Sequence, residues 1–309
     1  MSDDTKIVIK HVLTGEIPVK VKAAYIKHIA SLLMFGMNGI VASFISLSSY
    51  EIVLTRTFIG SALLIAIFAL SRQKLHFFKD RKYTLCLIAS GIAMGMSWMF
   101  LYEAYTQLGV GVASLAYYCG PVIVMISAPL LFREKLTWAK AAAFLAVLAG
   151  MYCVNMQASG GGSSAWGLFC GAMSALTYAI MVIFNKKAGG KSGLENSMWQ
   201  LLTAFLTVAA FVVIKQGFVI NIEPGDWIPI LILGIINTGV GCYFYFSSIG
   251  KLPIQTVAVC GYLEALSAVV FSAAFLRERM TLIQIAGAVL IIGGAAFGEL
   301  YCPGRIKHA

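Results

Sequence analysis

With 309 residues, 60% of them hydrophobic and 12% charged, the chain falls far short of the roughly 25% charged residues of a soluble domain. Its mean hydropathy of +0.86 leaves too little polar side chain to cover a globule in water, so a soluble fold is excluded. A net charge of +10 is compatible with nucleic acid or acidic lipid as partners, but its distribution along the chain speaks for membrane orientation instead.

Ten apolar segments follow one another: 23–47, 51–70, 83–106, 109–132, 137–155, 165–185, 195–216, 227–248, 252–276 and 280–300. None shows the strict alternation of a barrel strand, and each is about twice a strand's length. The expected fold class is an all-α polytopic membrane protein with ten transmembrane helices. Residues 1–22 are polar and lack a signal-peptide core with a small-residue cleavage site, so segment 23–47 is expected to be a retained first span. A cytoplasmic N-terminus and alternating sides put 17 of the 23 basic residues inside, with only Lys215, Arg277 and Arg279 outside and Lys27, Arg56 and Lys140 at span edges. That bias is the positive-inside pattern, and it predicts a cell-membrane protein with both termini in the cytoplasm.

Lys27 and His28 open the first span at the cytoplasmic rim, where basic stems can snorkel. Asn38 shares a face with Ser31, Phe35 and Ala42, and an amide at that depth needs a partner, on a neighbouring helix or in a pathway. In the second span Arg56 lies about one and a half turns from the outer end, and pairing with Glu51 or a loop carbonyl is favoured over substrate contact. The third span sets Gly91, Gly95, Trp98 and Tyr102 along one side, a cavity face in the favoured reading and a packing face otherwise. Glu103, near the outer interface, is expected to be solvated.

The fourth span holds Tyr117, Tyr118, Cys119, Gly120 and Pro121, and the proline predicts a kink there. Spans five and ten are rich in Ala and Gly (Ala142, Gly150, Gly287, Gly294) and are assigned to support or to a homodimer contact. Glu134 and Glu278 stand in the first turns of these helices, where the dipole favours a carboxylate. A Gly/Ser-rich linker covers 156–164. Span six offers Ser174, Thr177, Tyr178 and Met181. Span seven opens with Glu195 and Trp199, and span eight lines up Asn237, Gly241, Tyr245 and Ser248. Span nine carries Glu264 near its middle. A charge at bilayer depth costs about 2.5–3.5 kcal/mol on insertion scales and faces water, a partner or a substrate. Seven cysteines with no C-x-x-C pair read as apolar packing residues.

Shifted by 144 residues, the second half falls on the first. R-E-K-L-T (133–137) lands on R-E-R-M-T (277–281), Ala142 on Ala286, and Gly150 on Gly294. Each unit has five spans, an odd number, so the second copy must be inverted relative to the first. Inverted repeats belong to secondary transporters that bind substrate near mid-membrane between the halves. The organisation expected is a cytoplasmic segment 1–22, a repeat at 23–155, the linker, a repeat at 165–301 and a tail at 302–309.

The paired hairpins PLLFREKLTWAKAAAFLAVLAGMYCV and AAFLRERMTLIQIAGAVLIIGGAAFG resemble the drug/metabolite transporter superfamily, EamA type. So do the Arg56-bearing EIVLTRTFIGSALLI and the turn into a Glu-bearing span in GKLPIQTVAVCGYLEALSAVV. The resemblance covers about residues 25–300 and implies ten helices and export or exchange of small metabolites such as amino acids or amines. The chain departs from the common L-E-P pattern at Glu264-Ala265, while the first copy keeps only the proline, in Gly120-Pro121.

The expected substrate cavity gathers Glu264, Trp98, Tyr102, Asn38, Tyr117, Tyr178, Asn237 and Tyr245, with Gly120 and Pro121 as a gating kink. One carboxylate among aromatics suits an amine or a zwitterion, through ion pairing and cation–π contact. Glu264 would bind the substrate amine or exchange a proton against it. A membrane enzyme is disfavoured: no H-E-x-x-H, no G-x-S-x-G and no paired aspartates lie within a span, and the four histidines stand near or beyond membrane edges. No P-loop, metal site or cofactor is expected. A channel or facilitative uniporter remains the alternative, and the expected partners are a small-molecule substrate and the lipid bilayer, not nucleic acid.

Overall fold

The computed structural model describes residues 19–73, 75, 80–108, 113, 116–134, 137–155, 165–189, 193–217, 222–275 and 281–300. Residues 1–18 of the N-terminal segment, the 156–164 linker, residues 135–136 and 276–280 (with Glu278), and the tail lie outside them. Among the described residues the regular structure is all helical. Six helical stretches are long and apolar enough to cross a membrane: Val21–Ala42, Ser49–Leu70, Arg81–Leu108, Ala165–Ala188, Gly193–Lys215 and Pro224–Ile249. Four shorter apolar helices join them: Gly120–Phe132, Ala141–Cys153, Ile254–Ala268 and Ile285–Gly294. This is a multi-pass membrane protein.

In chain order the elements are α1 (Val19–Gly36), α2 (Asn38–Ala42), α3 (Ser49–Leu70), α4 (Arg81–Leu108), α5 (Gly120–Phe132), α6 (Trp138–Asn155), α7 (Ala165–Ala188) and α8 (Gly193–Gln216). There follow α9 (Trp227–Leu231), a π-helical stretch Ile232–Val240, α10 (Gly241–Ile249), α11 (Ile254–Cys260), α12 (Tyr262–Phe275) and α13 (Leu282–Leu300).

Three of the expected continuous spans are interrupted. The first breaks at Met37, between α1 and α2. There Gly36 lets the chain approach α12: a Cβ on Gly36 would lie 1.9 Å from Ser267 Oγ and 2.9 Å from the Glu264 carbonyl oxygen. The fourth does not merely kink. Tyr118 and Cys119 form a turn, and α5 starts afresh at Gly120 with Pro121 in its first turn, where a missing N–H costs no helical hydrogen bond. The ninth breaks at Gly261, which separates α11 from α12.

Small residues set the close packing. Gly91 and Gly95 of α4 face α8, where added Cβ atoms would meet Thr203 and Gln200, and Thr207 and Ala204. At these two glycines the predicted face is a helix contact and not a cavity wall. Gly150 of α6 meets Gly287 and Ile291 of α13, while Gly294 of α13 meets Ala143 and Val147 of α6. Gly150 and Gly294 are thus used within the chain, and large side chains such as Leu145, Tyr152, Leu282 and Val289 face outward.

Polar contacts tie each end. At one end Lys215 of α8 pairs with Glu103 of α4 at 2.6 Å. Tyr50 of α3 donates to the same carboxylate, and Trp166 of α7 donates to its other oxygen at 3.3 Å. Glu103 is therefore a junction of four helices and not a solvated rim charge. At the opposite end Glu134 accepts from the N–H groups of Ile254 and Gln255, at 2.8 and 3.3 Å. It caps α11, not the first turn of the following helix α6. Lys186 of α7 donates to the carbonyls of Ile249, Gly250 and Leu252. The turn between α10 and α11 is held by a cation on its carbonyls and an anion on its N–H groups, the sign each helix end favours.

Candidate functional site

Between the two ends, a cavity of about 50 Å³ is lined by residues of α1, α2, α3, α4, α7, α10, α12, the π-helical stretch and the turn before α5. At roughly 10–15 Å³ per water, it holds a few waters and not an organic metabolite. Seven of the eight expected binding residues line it: Glu264, Trp98, Asn38, Tyr117, Tyr178, Asn237 and Tyr245. Tyr102 does not. It stands one turn, about 6 Å, beyond Trp98 along α4, packed edge-on against Tyr105 and beside the cluster of Tyr50, Val53 and Val208.

The aromatic wall is continuous. Tyr178 Oη and Tyr245 Oη lie 3.2 Å apart, and the Tyr117 ring meets Tyr178 edge-on at 5.3 Å. Tyr245 also stacks on His28 at 5.2 Å and touches Phe35 at 5.7 Å. Gly120 fixes the position of Tyr178, because a Cβ there would lie 2.6 Å from its ring. Gly120 and Pro121 thereby shape the wall by starting a buried helix against α7.

The two amides solve each other's desolvation problem: Asn237 Nδ2 donates to Asn38 Oδ1 at 3.0 Å. Asn38 Nδ2 and Asn237 Oδ1 remain for other partners. The π-helical turn aims this pair. Thr238 Oγ1 bonds the carbonyl of Leu233, five residues back, at 2.8 Å, and both Asn237 and Thr238 reach the cavity. Insertions of this kind concentrate at functional sites.

His28 is fully buried instead of lying at the rim. Ser248 donates its hydroxyl hydrogen to the Tyr245 carbonyl at 2.6 Å, so its oxygen accepts from His28 Nδ1 at 3.1 Å. A second buried polar group lies in the same direction: Gln200 donates to Ser90 at 2.7 Å, and Asn185 donates to Gln200 at 3.2 Å.

Arg56 is where the structure departs most from the expectation. The expected partner is Glu51 or a loop carbonyl, but Glu51 closes a capping box with Ser48 at the start of α3. Arg56 is only 5% exposed, turns into the cavity, and lays its guanidinium 4.3 Å from the centre of the Trp98 ring. Met94 and Ser97, one turn and one residue before Trp98, also line the cavity, as do Met181, Cys242 and Phe246. The i, i+3, i+4 stripe of Met94, Ser97 and Trp98 is a signal the sequence carried.

A helical membrane fold enclosing a polar, aromatic-walled cavity at the meeting of interrupted helices defines a membrane-transporter class of protein. The sequence model of the EamA-like transporter family matches the chain twice, at residues 22–156 and 165–298, and the chain belongs to that family. It is 26% identical to the uncharacterized transporter YxxF of Bacillus subtilis over 285 residues, 88% of each chain. The uncharacterized transporter YvbV of the same organism is 22% identical over 242 residues, 77% of this chain and 78% of that one. A solved crystal structure superposes with a TM-score of 0.78 at 18% identity, covering 91% of this chain and 98% of its own, a likeness of fold.

Proposed function

We propose that this protein is a secondary transporter that exports or exchanges a small polar metabolite, an amino acid or an amine, by alternating access around the central cavity. The observation that carries the reading is the place of Glu264: a carboxylate in the wall of a cavity that Trp98, Tyr117, Tyr178 and Tyr245 also line. A cation enters such a site with an ion pair and aromatic faces in place of its water. The small volume of the cavity favours a carrier: an organic substrate would need the surrounding helices to part before it could enter.

The proposal includes ten spans, built as two inverted five-helix repeats at 23–155 and 165–301, both termini cytoplasmic, in the cell membrane. Reciprocal contacts support it. Tyr262 Oη donates to the Tyr118 carbonyl at 3.0 Å, and these residues are 144 apart. Gly150 touches Gly287 and Ile291 while Gly294 touches Ala143 and Val147, and the shift of 144 carries one set onto the other. Pairs exchanged by the shift are what a two-fold axis produces. Tyr50, Glu103, Trp166 and Lys215, all expected outside, meet at one end, and Glu134, Lys186 and Ile254, all expected inside, meet at the other. A homodimer through the outward faces of α6 and α13 completes the reading, and light scattering in detergent checks it.

The test is counterflow in proteoliposomes. Unlabelled substrate on the far side should accelerate uptake of labelled amino acid or amine several-fold. Flux indifferent to the trans side would favour the channel instead.

A further inference from the structure

We propose that Arg56 is the anion anchor of this cavity and selects substrates that carry a carboxylate beside the cation held at Glu264. The inference rests on the reading of Glu264 above and narrows it from amines in general to zwitterions.

Three observations carry it. First, the guanidinium is buried, with Arg56 only 5% exposed. Its Nε has no hydrogen-bond partner, and Glu51 is committed to its capping box. A buried charged donor without an acceptor is among the costlier arrangements a fold can keep. Second, stacking on Trp98 covers a face of the guanidinium plane and leaves its N–H edge free. That edge is the fork that binds a carboxylate through two parallel hydrogen bonds. Third, Arg56 and Glu264 line the same cavity, and among the described residues no ion pair or hydrogen bond joins them.

Two opposite charges facing one small, poorly solvated space without closing on each other fit a molecule that puts an anion on one and a cation on the other. A bare amine would bring a second positive charge near Arg56 and leave the guanidinium unpaired. A bare carboxylate would do the reverse at Glu264. A zwitterion satisfies both groups and adds no net charge, which a low-dielectric site favours strongly. The aromatic walls would take its apolar part.

The test uses matched ligands: leucine, 3-methylbutylamine and 4-methylpentanoate, then phenylalanine, 2-phenylethylamine and 3-phenylpropanoate. Each is titrated against the purified full-length protein, with affinity read from the rise in melting temperature by mass action. The wild type should bind the amino acid tighter than the matching amine by about 10- to 100-fold, the range of a hydrogen bond to a charged group. In Arg56→Gln that ratio should fall to near one, with amine affinity unchanged or higher, and Arg56→Lys should restore part of it. Should Arg56→Gln fail to fold, the wild-type ratio and Arg56→Lys carry the test. Equal wild-type affinity for amine and amino acid, or a ratio that survives Arg56→Gln, overturns the anchor while leaving the Glu264 reading intact. Failure of every amine and amino acid to bind overturns both.

Discussion

The breaks before α5 and within the ninth span occupy nearly the same register, 144 residues apart, yet they do different work. Around Gly261 the chain pauses and delivers Glu264 to the cavity. Around Cys119 it pauses and delivers Gly120, with no side chain at all, into the ring of Tyr178. One backbone device thus serves two ends: a carboxylate in the second half, and in the first half the absence of any atom that would displace an aromatic wall. The two breaks are alike in backbone and unlike in chemistry.

The harshest way to break this comparison is to make the two breaks alike. Gly120→Glu asks for a side chain where even a Cβ would lie 2.6 Å from Tyr178 and 3.1 Å from the Ala175 carbonyl. Loss of folded protein is expected, read as aggregation on size exclusion. Gly120→Ala asks for less and should cost about 1–3 kcal/mol, the range for overpacking, seen as a lowered denaturation midpoint. Next comes the cap: Glu134→Ala removes both acceptors from the start of α11, for about 0.5–2 kcal/mol. The gentlest test is at the other break, where Gly261 has an ordinary φ of −52°. A Cβ there would lie no closer than 3.2 Å to any neighbour. Gly261→Ala should change stability by less than about 1 kcal/mol, and a large loss would show that the two breaks are alike after all. Lys215→Met belongs with it: the pair with Glu103 has a 41% exposed cation and should be worth at most about 1 kcal/mol.

Much of the architecture was legible in the sequence because membrane helices must be apolar throughout and satisfy their own backbone. Mid-membrane polar residues were legible for the same reason, since each needs a cause. That logic groups Glu264, Asn38, Asn237, Tyr117, Tyr178 and Tyr245, all of which line the cavity. Tyr102 was misplaced because helical spacing gives a face but not how far along it a cavity extends. The pairing of Arg56 with Glu51 is not found because that glutamate is satisfied locally by Ser48, a competition that proximity in sequence does not reveal. Pro121 announces an interruption near Cys119, but the turns at Met37 and Gly261, and the π-helical stretch, are not legible in the sequence for a further reason. Each is stabilised by close approach of another helix, which hydrophobic periodicity does not encode.

The central claim is that the Glu264 carboxylate, alone among the acids, meets the substrate. Its most direct measurement compares transport by the wild type and Glu264→Gln in proteoliposomes from pH 5 to pH 9. The account predicts that Glu264→Gln loses transport by about 100-fold, as expected for removal of a buried ion pair, and that its residual activity no longer varies with pH as the wild type's does. Undiminished transport with an unaltered pH profile would contradict it.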